Sequence, residues 1–345
     1  MENRKYLRRW NRCFIHDKVL PEYIYKVIGF VVSILSIWYK FLLILERIRT
    51  RNNKVPKKYY VSICAIFKDE SLSLKEWIEF HLLIGVDHFY LYNNNTTDNS
   101  LEILTPYIKK GIVTLIDWNY APPCQAEAYN HCKEHFSKES NWIAFIDLDE
   151  YICPRMNMDL KVWLKQYEAY PSLVIYWKMF GSAGEIEHDK NRFITEQYYI
   201  AWDRYCDIGK PIFNTRFTSV PTTLKHIHNL PAQISIFKFH FNIPPINEFK
   251  KFVVYKSNRT KLFTHVTDFT IQINHYVSKS YLEYFLTKRR RGDACNYAQF
   301  NKSVYAYKYD QCFCQVADYS IYKYLPCLKV RMSEGKIENY FDQNN

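Results

Sequence analysis

The chain has 345 residues, 48% of them hydrophobic and 24% charged, proportions that exclude a disordered or fibrous protein and leave room for a sizeable core. Its net charge of +12 suits a partner that carries phosphate: nucleic acid, anionic lipid or a nucleotide-linked substrate. The ten cysteines form no CxxC pair and no metal-ligand spacing, which argues against a zinc module and reads as reduced, structural thiols.

The charge is unevenly placed. Arg4, Lys5, Arg8, Arg9, Arg12 and Lys18 precede an apolar stretch from Val27 to Leu45, and Arg47, Arg49, Arg51, Lys54, Lys57 and Lys58 follow it. That distribution favours a membrane surface over a nucleic-acid groove, so nucleic acid is not expected as a partner. Nineteen residues at about 1.5 Å rise nearly cross a hydrocarbon core. Lys40, however, leaves only thirteen positions free of charge, and two basic flanks give the positive-inside rule nothing to orient. A helix lying in the interface, its cations reaching anionic lipid, accounts for both facts. A transmembrane anchor and a plain packing helix are the alternatives. No small-residue cleavage site follows, so residues 1–58 read as a retained basic leader with a membrane-associating helix.

From Tyr59 the sequence alternates strands and helices. Tyr60–Phe67 is a buried-strand run; Leu74–Ile84 has helical periodicity and stops at Gly85. Val86–Tyr92 is a second strand, and Asp98 or Asn99 caps a helix from Ser100 to Lys109 that closes at Gly111. Ile112–Ile116 is a third strand, Gln125–Phe136 a helix and Trp142–Ile146 a fourth strand. A mainly parallel, Rossmann-like sheet with helices on both faces is the economical arrangement. After Tyr151 the rhythm loosens. Single strands are expected at Leu173–Phe180, Ile234–Phe241 and Phe269–Tyr276, then a helix over Tyr281–Arg291; beyond Tyr297 the pattern is mixed.

In open parallel sheets, ligands bind beyond the carboxyl ends of the strands. Those ends carry Lys68-Asp69-Glu70, Asn93-Asn94-Asn95, Asp117 and Asp147-Leu148-Asp149-Glu150. In an extended chain Asp147 and Asp149 point to one side, roughly 6.5–7 Å apart. Should their carboxylates converge to about 4 Å, repulsion costs about 4 kcal/mol at an effective dielectric of 20. A divalent cation removes that cost, and carboxylate oxygens are the ligands that Mg²⁺ and Mn²⁺ prefer. A solvated acidic turn is the bland reading of the same residues.

Several motifs in order resemble family 2-like glycosyltransferases, most closely glycosyltransferase family 92 and its bacterial relatives. They are Val61–Phe67 with Lys68-Asp69-Glu70, Glu76-Trp77-Ile78-Glu79-Phe80-His81, Leu83–Tyr90, Asn93–Asp98, Trp142–Tyr151, Phe180–Gly184, Asn274-His275-Tyr276, Lys279-Ser280, Lys288 and Arg291-Gly292. The resemblance covers residues 60–292. It implies a GT-A fold in which Asp147 and Asp149, with His275 as a further ligand, hold Mn²⁺ or Mg²⁺ on the donor diphosphate. By the same resemblance Lys68, Asp69 and Glu70 face the nucleotide's base and ribose, and Asn93, Asn94 and Asp98 complete that pocket. Gln125 opens the helix facing the diphosphate, and Lys279, Lys288 and Arg291 neutralise phosphate.

The expected activity is transfer of a hexose from a UDP-sugar to a glycan or lipid-linked acceptor, with inversion. An inverting enzyme needs a carboxylate to take the acceptor's proton. Glu185, Glu187 and Asp189 are the candidates, and Glu150 is another. A metal-dependent nucleotidyltransferase and a non-enzymatic basic membrane-binding protein are the competing readings. Sequons fall at Asn94, Asn95, Asn258 and Asn301, and two of them lie in the expected nucleotide loop. A glycan there obstructs binding, which points to the cytoplasmic face of a membrane. The domain plan is therefore a leader over residues 1–58, a GT-A domain over 59–292 and a C-terminal extension over 293–345.

Overall fold

The computed structural model describes residues 22–49, 56–156, 159–206, 208–223, 227–236, 239–250, 253, 263–264, 269–288 and 304–333. Helix α1 (Glu22–Arg49) leads into β1 (Tyr59–Phe67), α2 (Ser71–Leu83), β2 (His88–Asn93), α3 (Ser100–Lys109), β3 (Val113–Asp117), α4 (Gln125–Phe136) and β4 (Ser140–Phe145). These follow the expected alternation to within a few residues. Helix α2 ends at Gly85, whose φ of +97° is a left-handed conformation that favours glycine. β1 pairs in parallel with β2 and β4, and β2 with β3. With right-handed crossovers, α2 and α3 lie on one face of this unit and α4 on the other.

The second half brings β5 (Glu150–Pro154), α5 (Leu160–Lys165), β6 (Ser172–Met179), α6 (Ile194–Gln197), β7 (Ile200–Trp202), β8 (Tyr205–Cys206) and β9 (Gly209–Asn214). Then come β10 (Thr218–Ser219), β11 (Ala232–Ile236), β12 (Phe239–Ile243), β13 (Phe263–Thr264) and β14 (Ile271–His275). A π-helical segment (Glu283–Lys288), α7 (Val304–Phe313), β15 (Cys314–Ala317), a 3₁₀ turn (Tyr322–Tyr324) and α8 (Leu325–Met332) complete the described chain.

The main sheet runs β3-β2-β1-β4-β9-β6-β14-β5. It is mixed and largely parallel: β9 lies antiparallel between β4 and β6, and β5 antiparallel at the edge beside β14. The single strand expected over Ile234–Phe241 is a hairpin, β11 pairing antiparallel with β12. Strand β9 passes so close to β6 at Gly209 that a Cβ there would meet the Ile175 carbonyl oxygen at 1.9 Å.

Helix α2 is the hub of the core, with Trp77, Phe80 and His81 fully buried. The His81 ring accepts from the Ile152 amide (3.2 Å), which leaves Nδ1–H to donate to the Trp77 carbonyl (2.8 Å) and ties α2 to β5. The last residues belong to this same core. Tyr324, Leu325 and Leu328 are buried in it, and Arg331 pairs with Glu79 of α2 at 2.9 Å. The described residues 321–332, expected as part of a C-terminal extension, thus pack against α2.

Helix α1 packs on the domain through its C-terminal half. Tyr39, Leu42 and Leu43 join the core, and the Tyr39 hydroxyl donates to the Pro244 carbonyl (3.3 Å). No described helix is long and apolar enough to cross a membrane.

Candidate functional site

Beyond β4 the chain turns through Asp147, Leu148 and Asp149 into β5, and several backbone groups of the turn are held. The Asp147 amide donates to Glu150 Oε2 (3.0 Å) and the Glu150 amide to the Asp147 carbonyl (3.1 Å). Trp77 Nε1 donates to the Glu150 carbonyl (2.7 Å), and the Tyr276 amide to that of Asp149 (2.8 Å). The turn is therefore fixed from beneath by α2 and from the side by the end of β14.

Register then assembles the cluster. His275 is the direct partner of Glu150 across the β14–β5 pair. The ligand atoms of Asp149, Glu150 and His275 lie within 4.8 Å of one another, all three residues buried. His275 Nε2 stands 3.5 Å from Asp149 Oδ1 and 4.0 Å from Glu150 Oε1. Glu150 Oε1 has no hydrogen-bond partner among the described residues despite full burial. A buried, unsatisfied carboxylate oxygen beside an imidazole and a second carboxylate fits a divalent cation.

Asp147, expected to be a ligand, is engaged otherwise. One oxygen accepts from Gln125 Nε2 (2.8 Å) and the other from Lys210 Nζ (2.8 Å). Glu150, expected as a base candidate, falls within the group of three, and Asp147 lies outside it.

Electrostatics follow from burial. Burial alone would raise the Asp149 carboxyl, but the directly paired Lys288 ammonium and His275 hold it well below the usual range. Burial pushes Glu150 well above the ordinary range; Lys210 opposes that shift, while Asp147 and Asp149 add to it. Burial would lower Lys210, yet the Asp147 and Glu150 carboxylates outweigh it and hold the ammonium well above its usual range. Burial also lowers His275 against the pull of Asp149, which favours the neutral imidazole that metals bind.

Asp149 and His275 of this cluster line a cleft of ≈ 640 Å³, while Glu150 is fully buried and is not part of its lining. Lys68, Glu70 and Asn94 line it, as do Gln125, Asp147, Asp149, His275 and Lys288. Asn94 Nδ2 donates to the carbonyls of Trp118 (2.8 Å) and Tyr120 (2.9 Å), which holds Tyr120 at the rim.

Other expected residues stand back from the cleft lining. Asp69 receives the Thr97 amide (2.7 Å), and Asn93 bridges Asp117 (3.2 Å) and the Thr96 amide (3.0 Å). Asp98 accepts from the Ser71 amide (2.8 Å) and the Ser100 amide (3.0 Å), fastening the starts of α2 and α3 together. These short polar chains satisfy backbone groups at helix and loop starts, the commonest use of Asp and Asn. Lys279 is buried behind the wall, 3.3 Å from Glu70 Oε2. Glu185 faces Arg192 at 3.8 Å, Asp189 accepts from the Asn191 amide (2.9 Å) and Glu187 is exposed; none of the three lines the cleft. Arg291 lies outside the described residues.

Sequence reasoning missed Lys210, although a lone lysine in the apolar run from Ile208 to Phe213 is a signal, because lysine is almost never buried unpaired. It also did not place Trp177 or His228 in the site. Both line the cleft, Trp177 against His275 (ring centroids 4.6 Å) and His228 edge-on to Trp177 (5.0 Å).

A cleft at the strand ends of a largely parallel sheet, lined by acids and an imidazole, is where α/β proteins place their small-molecule sites. Residues 57–292 match glycosyltransferase family 92, and the chain belongs to that family. A family 92 protein of rice is 29% identical over 118 residues, 34% of this chain and 20% of that protein. One of Arabidopsis thaliana is 27% identical over 146 residues, 42% and 25% respectively. The chain thus covers a quarter or less of the length of these curated relatives. Among solved structures, Staphylococcus aureus TarS 1–349 in complex with UDP-GlcNAc has a TM-score of 0.33 at 12% identity, over 59% of this chain and 60% of that one. The mannosyltransferase PcManGT of Pyrobaculum calidifontis, in complex with GDP-Man and Mn²⁺, has a TM-score of 0.29 at 11% identity, over 53% and 55%. Both structural likenesses are weak.

Proposed function

We propose that this chain is a GT-A glycosyltransferase that uses Mn²⁺ or Mg²⁺ and moves a hexose from a UDP-sugar to a glycan or lipid-linked acceptor, with inversion. The observation that carries the reading is the convergence of buried Asp149, Glu150 and His275, the first and last of which line the cleft, with one Glu150 oxygen lacking a hydrogen bond among the described residues. Those three residues would hold the ion. When bound, it supplies positive charge at the diphosphate that leaves the sugar.

The chain's own groups do the rest. Lys68, Glu70 and Asn94 form the wall that receives base and ribose, with Tyr120 at its rim. Gln125 and Lys210 lock the Asp147 carboxylate, so that it need not reorganise when a donor arrives. Lys288 lines the cleft as a fixed cation for phosphate. The carboxylates on the cleft wall are Glu70, Asp147 and Asp149, and the acceptor's proton has to find its base among groups such as these.

The test is a screen of UDP release across UDP-sugars with and without Mn²⁺ or Mg²⁺. Release should stop with chelator and fall about 10²–10³-fold in Asp149→Asn, the scale of losing one preorganised stabilising group. Undiminished UDP release by a folded Asp149→Asn protein overturns the proposal.

A further inference from the structure

Helix α1 has two unlike sides. Tyr39, Leu42, Leu43 and Glu46 are buried against the domain. Phe30, Ile34, Ile37, Phe41, Ile44 and Ile48 form a stripe on another side and stay exposed, Phe30 at 70% and Ile37 at 71%. At 100° per residue this stripe spans an arc of about 80°, and Val27, Val31 and Trp38, also exposed, widen it to about 140°. Lys40 and Arg47, both exposed, border it on one edge.

The apolar face does not end with the helix. Phe241 meets Trp38 edge-on at 6.3 Å, and Phe239, two positions earlier on the same face of β12, is 68% exposed. Helix and hairpin tip therefore present one surface.

Three observations select its occupant. A second copy packing as a coiled coil would use the alternating spacing of three and four in the stripe. Yet the positions flanking one edge are Val31, Trp38 and Leu45, where a two-stranded seam carries charge. The other edge offers Ser33, Lys40 and Arg47, with no acid to answer the cations, since the helix's acids are Glu22 at its start and the buried Glu46. A spanning arrangement conflicts with Lys40 and with the burial of Tyr39, Leu42 and Leu43 against the domain. A broad apolar arc bordered by cations, with Arg8, Arg9, Arg12 and Lys18 just before it in sequence and Arg51 and Lys54 just after, complements an anionic lipid surface.

We infer that α1 and the β11–β12 hairpin form one monotopic docking face on which the protein lies against an anionic membrane, the helix in the plane of the interface. This reading stands apart from the transferase proposal. The other end of the same hairpin approaches the cleft, since Ile227 and His228, a few residues before β11, line it. A docked hairpin thus connects the lipid surface with the cleft wall.

The test uses the full chain in flotation with phosphatidylcholine vesicles, with and without phosphatidylserine. The protein should float with the anionic vesicles, less so in high salt. The exposed triple substitution F30D/I34D/I37D should cut the bound fraction about tenfold or more, from the loss of inserted apolar area. Phe239→Ser should weaken binding independently, and Lys40→Glu with Arg47→Glu should remove the preference for phosphatidylserine. UDP release by all of these variants should match the parent, so failure here is distinguishable from failure of the transferase reading. Equal flotation of the parent and the triple variant overturns the inference. So does concentration-dependent dimerisation, abolished by the same triple substitution, in a protein that ignores vesicles.

Discussion

Strands β1 to β4 and strands β5, β6, β9 and β14 share one sheet but reach it by different routes. In the first group each crossover helix delivers the chain to a parallel position, and the functional groups fall where the strands end: Lys68 and Glu70 after β1, Asn94 after β2. In the second group the partners are distant in sequence. Ala144 pairs with Ile212, Ile175 with Lys210, and Glu150 with His275. The wall proposed to receive the nucleotide thus comes from adjacent parallel strands, whereas the charged floor also needs antiparallel pairing to strands that arrive later in the chain. Stability and activity should therefore be separable in the first group and entangled in the second.

The strongest test of that contrast is Lys210→Met. Lys210 Nζ stands 2.8 Å from Asp147 and 3.7 Å from Glu150, and its side chain is only 1% exposed. Removing one member of a buried charge cluster leaves the others uncompensated, at a cost of about 3–5 kcal/mol. Chemical denaturation of the ion-free protein should show a loss of that size together with loss of UDP release. An unchanged midpoint with activity lost would mean that the floor serves chemistry alone, and the comparison would fail. Gly209→Ala attacks the same strand through its backbone. A Cβ there meets the Ile175 carbonyl oxygen at 1.9 Å, so β6 and β9 must part, at about 1–3 kcal/mol. A thermal melt should register that cost, and a melt like the parent's would show that the two strands have room to spare.

The same contrast explains what was legible in the sequence. The first four strands are short apolar runs and the three helices carry helical periodicity, with Gly85 and Gly111 as stops, and these signals are local. The Asp147-Leu148-Asp149 turn was visible because an apolar strand runs straight into acids. The partners of those acids were not derivable from spacing. Lys210 sits 63 positions from Asp147, and the antiparallel insertion of β9 that brings it there has no local signature. Asp98 or Asn99 was expected as the cap of α3; Asn99 takes the N-cap position without a side-chain cap bond, and Asp98, one residue earlier, accepts from the Ser71 and Ser100 amides. The resemblance drew it into the nucleotide pocket instead, and a motif cannot tell a ligand-facing carboxylate from one satisfying two amides.

Asp98→Ala is accordingly the cleanest separation available in the first group. Losing a side chain that satisfies helix-start amides costs about 1 kcal/mol, and Asp98 does so at the starts of both α2 and α3. The midpoint of unfolding should fall accordingly, while UDP release below that transition stays within about twofold, since such a side chain acts on folding rather than on the transition state. A large loss of activity without loss of stability would return Asp98 to the nucleotide pocket.

The smallest effect is expected from Glu185→Ala, Glu187→Ala and Asp189→Ala made singly. The Glu185–Arg192 pair is 3.8 Å long with both side chains more than a third exposed, so its contribution is screened, and surface changes of this kind usually stay within about 0.5 kcal/mol. Donor hydrolysis to water cannot judge them, because a base acts on the acceptor's hydroxyl. The informative measurement is the ratio of sugar transfer to UDP release once an acceptor is found. A general base contributes about 10²–10⁴-fold to its step. The segment from Ser182 to Asp189 does touch the region before Lys288, since the Tyr281 and Leu282 amides donate to the carbonyls of Glu185 (3.1 Å) and Ile186 (2.9 Å). Those contacts use the backbone, so truncating the side chains should leave the ratio within about threefold, well short of what loss of a base produces. A hundredfold fall in transfer alone would place the base in this loop, and the floor of the cleft would then owe its acceptor chemistry to a segment that approaches only when substrate is bound.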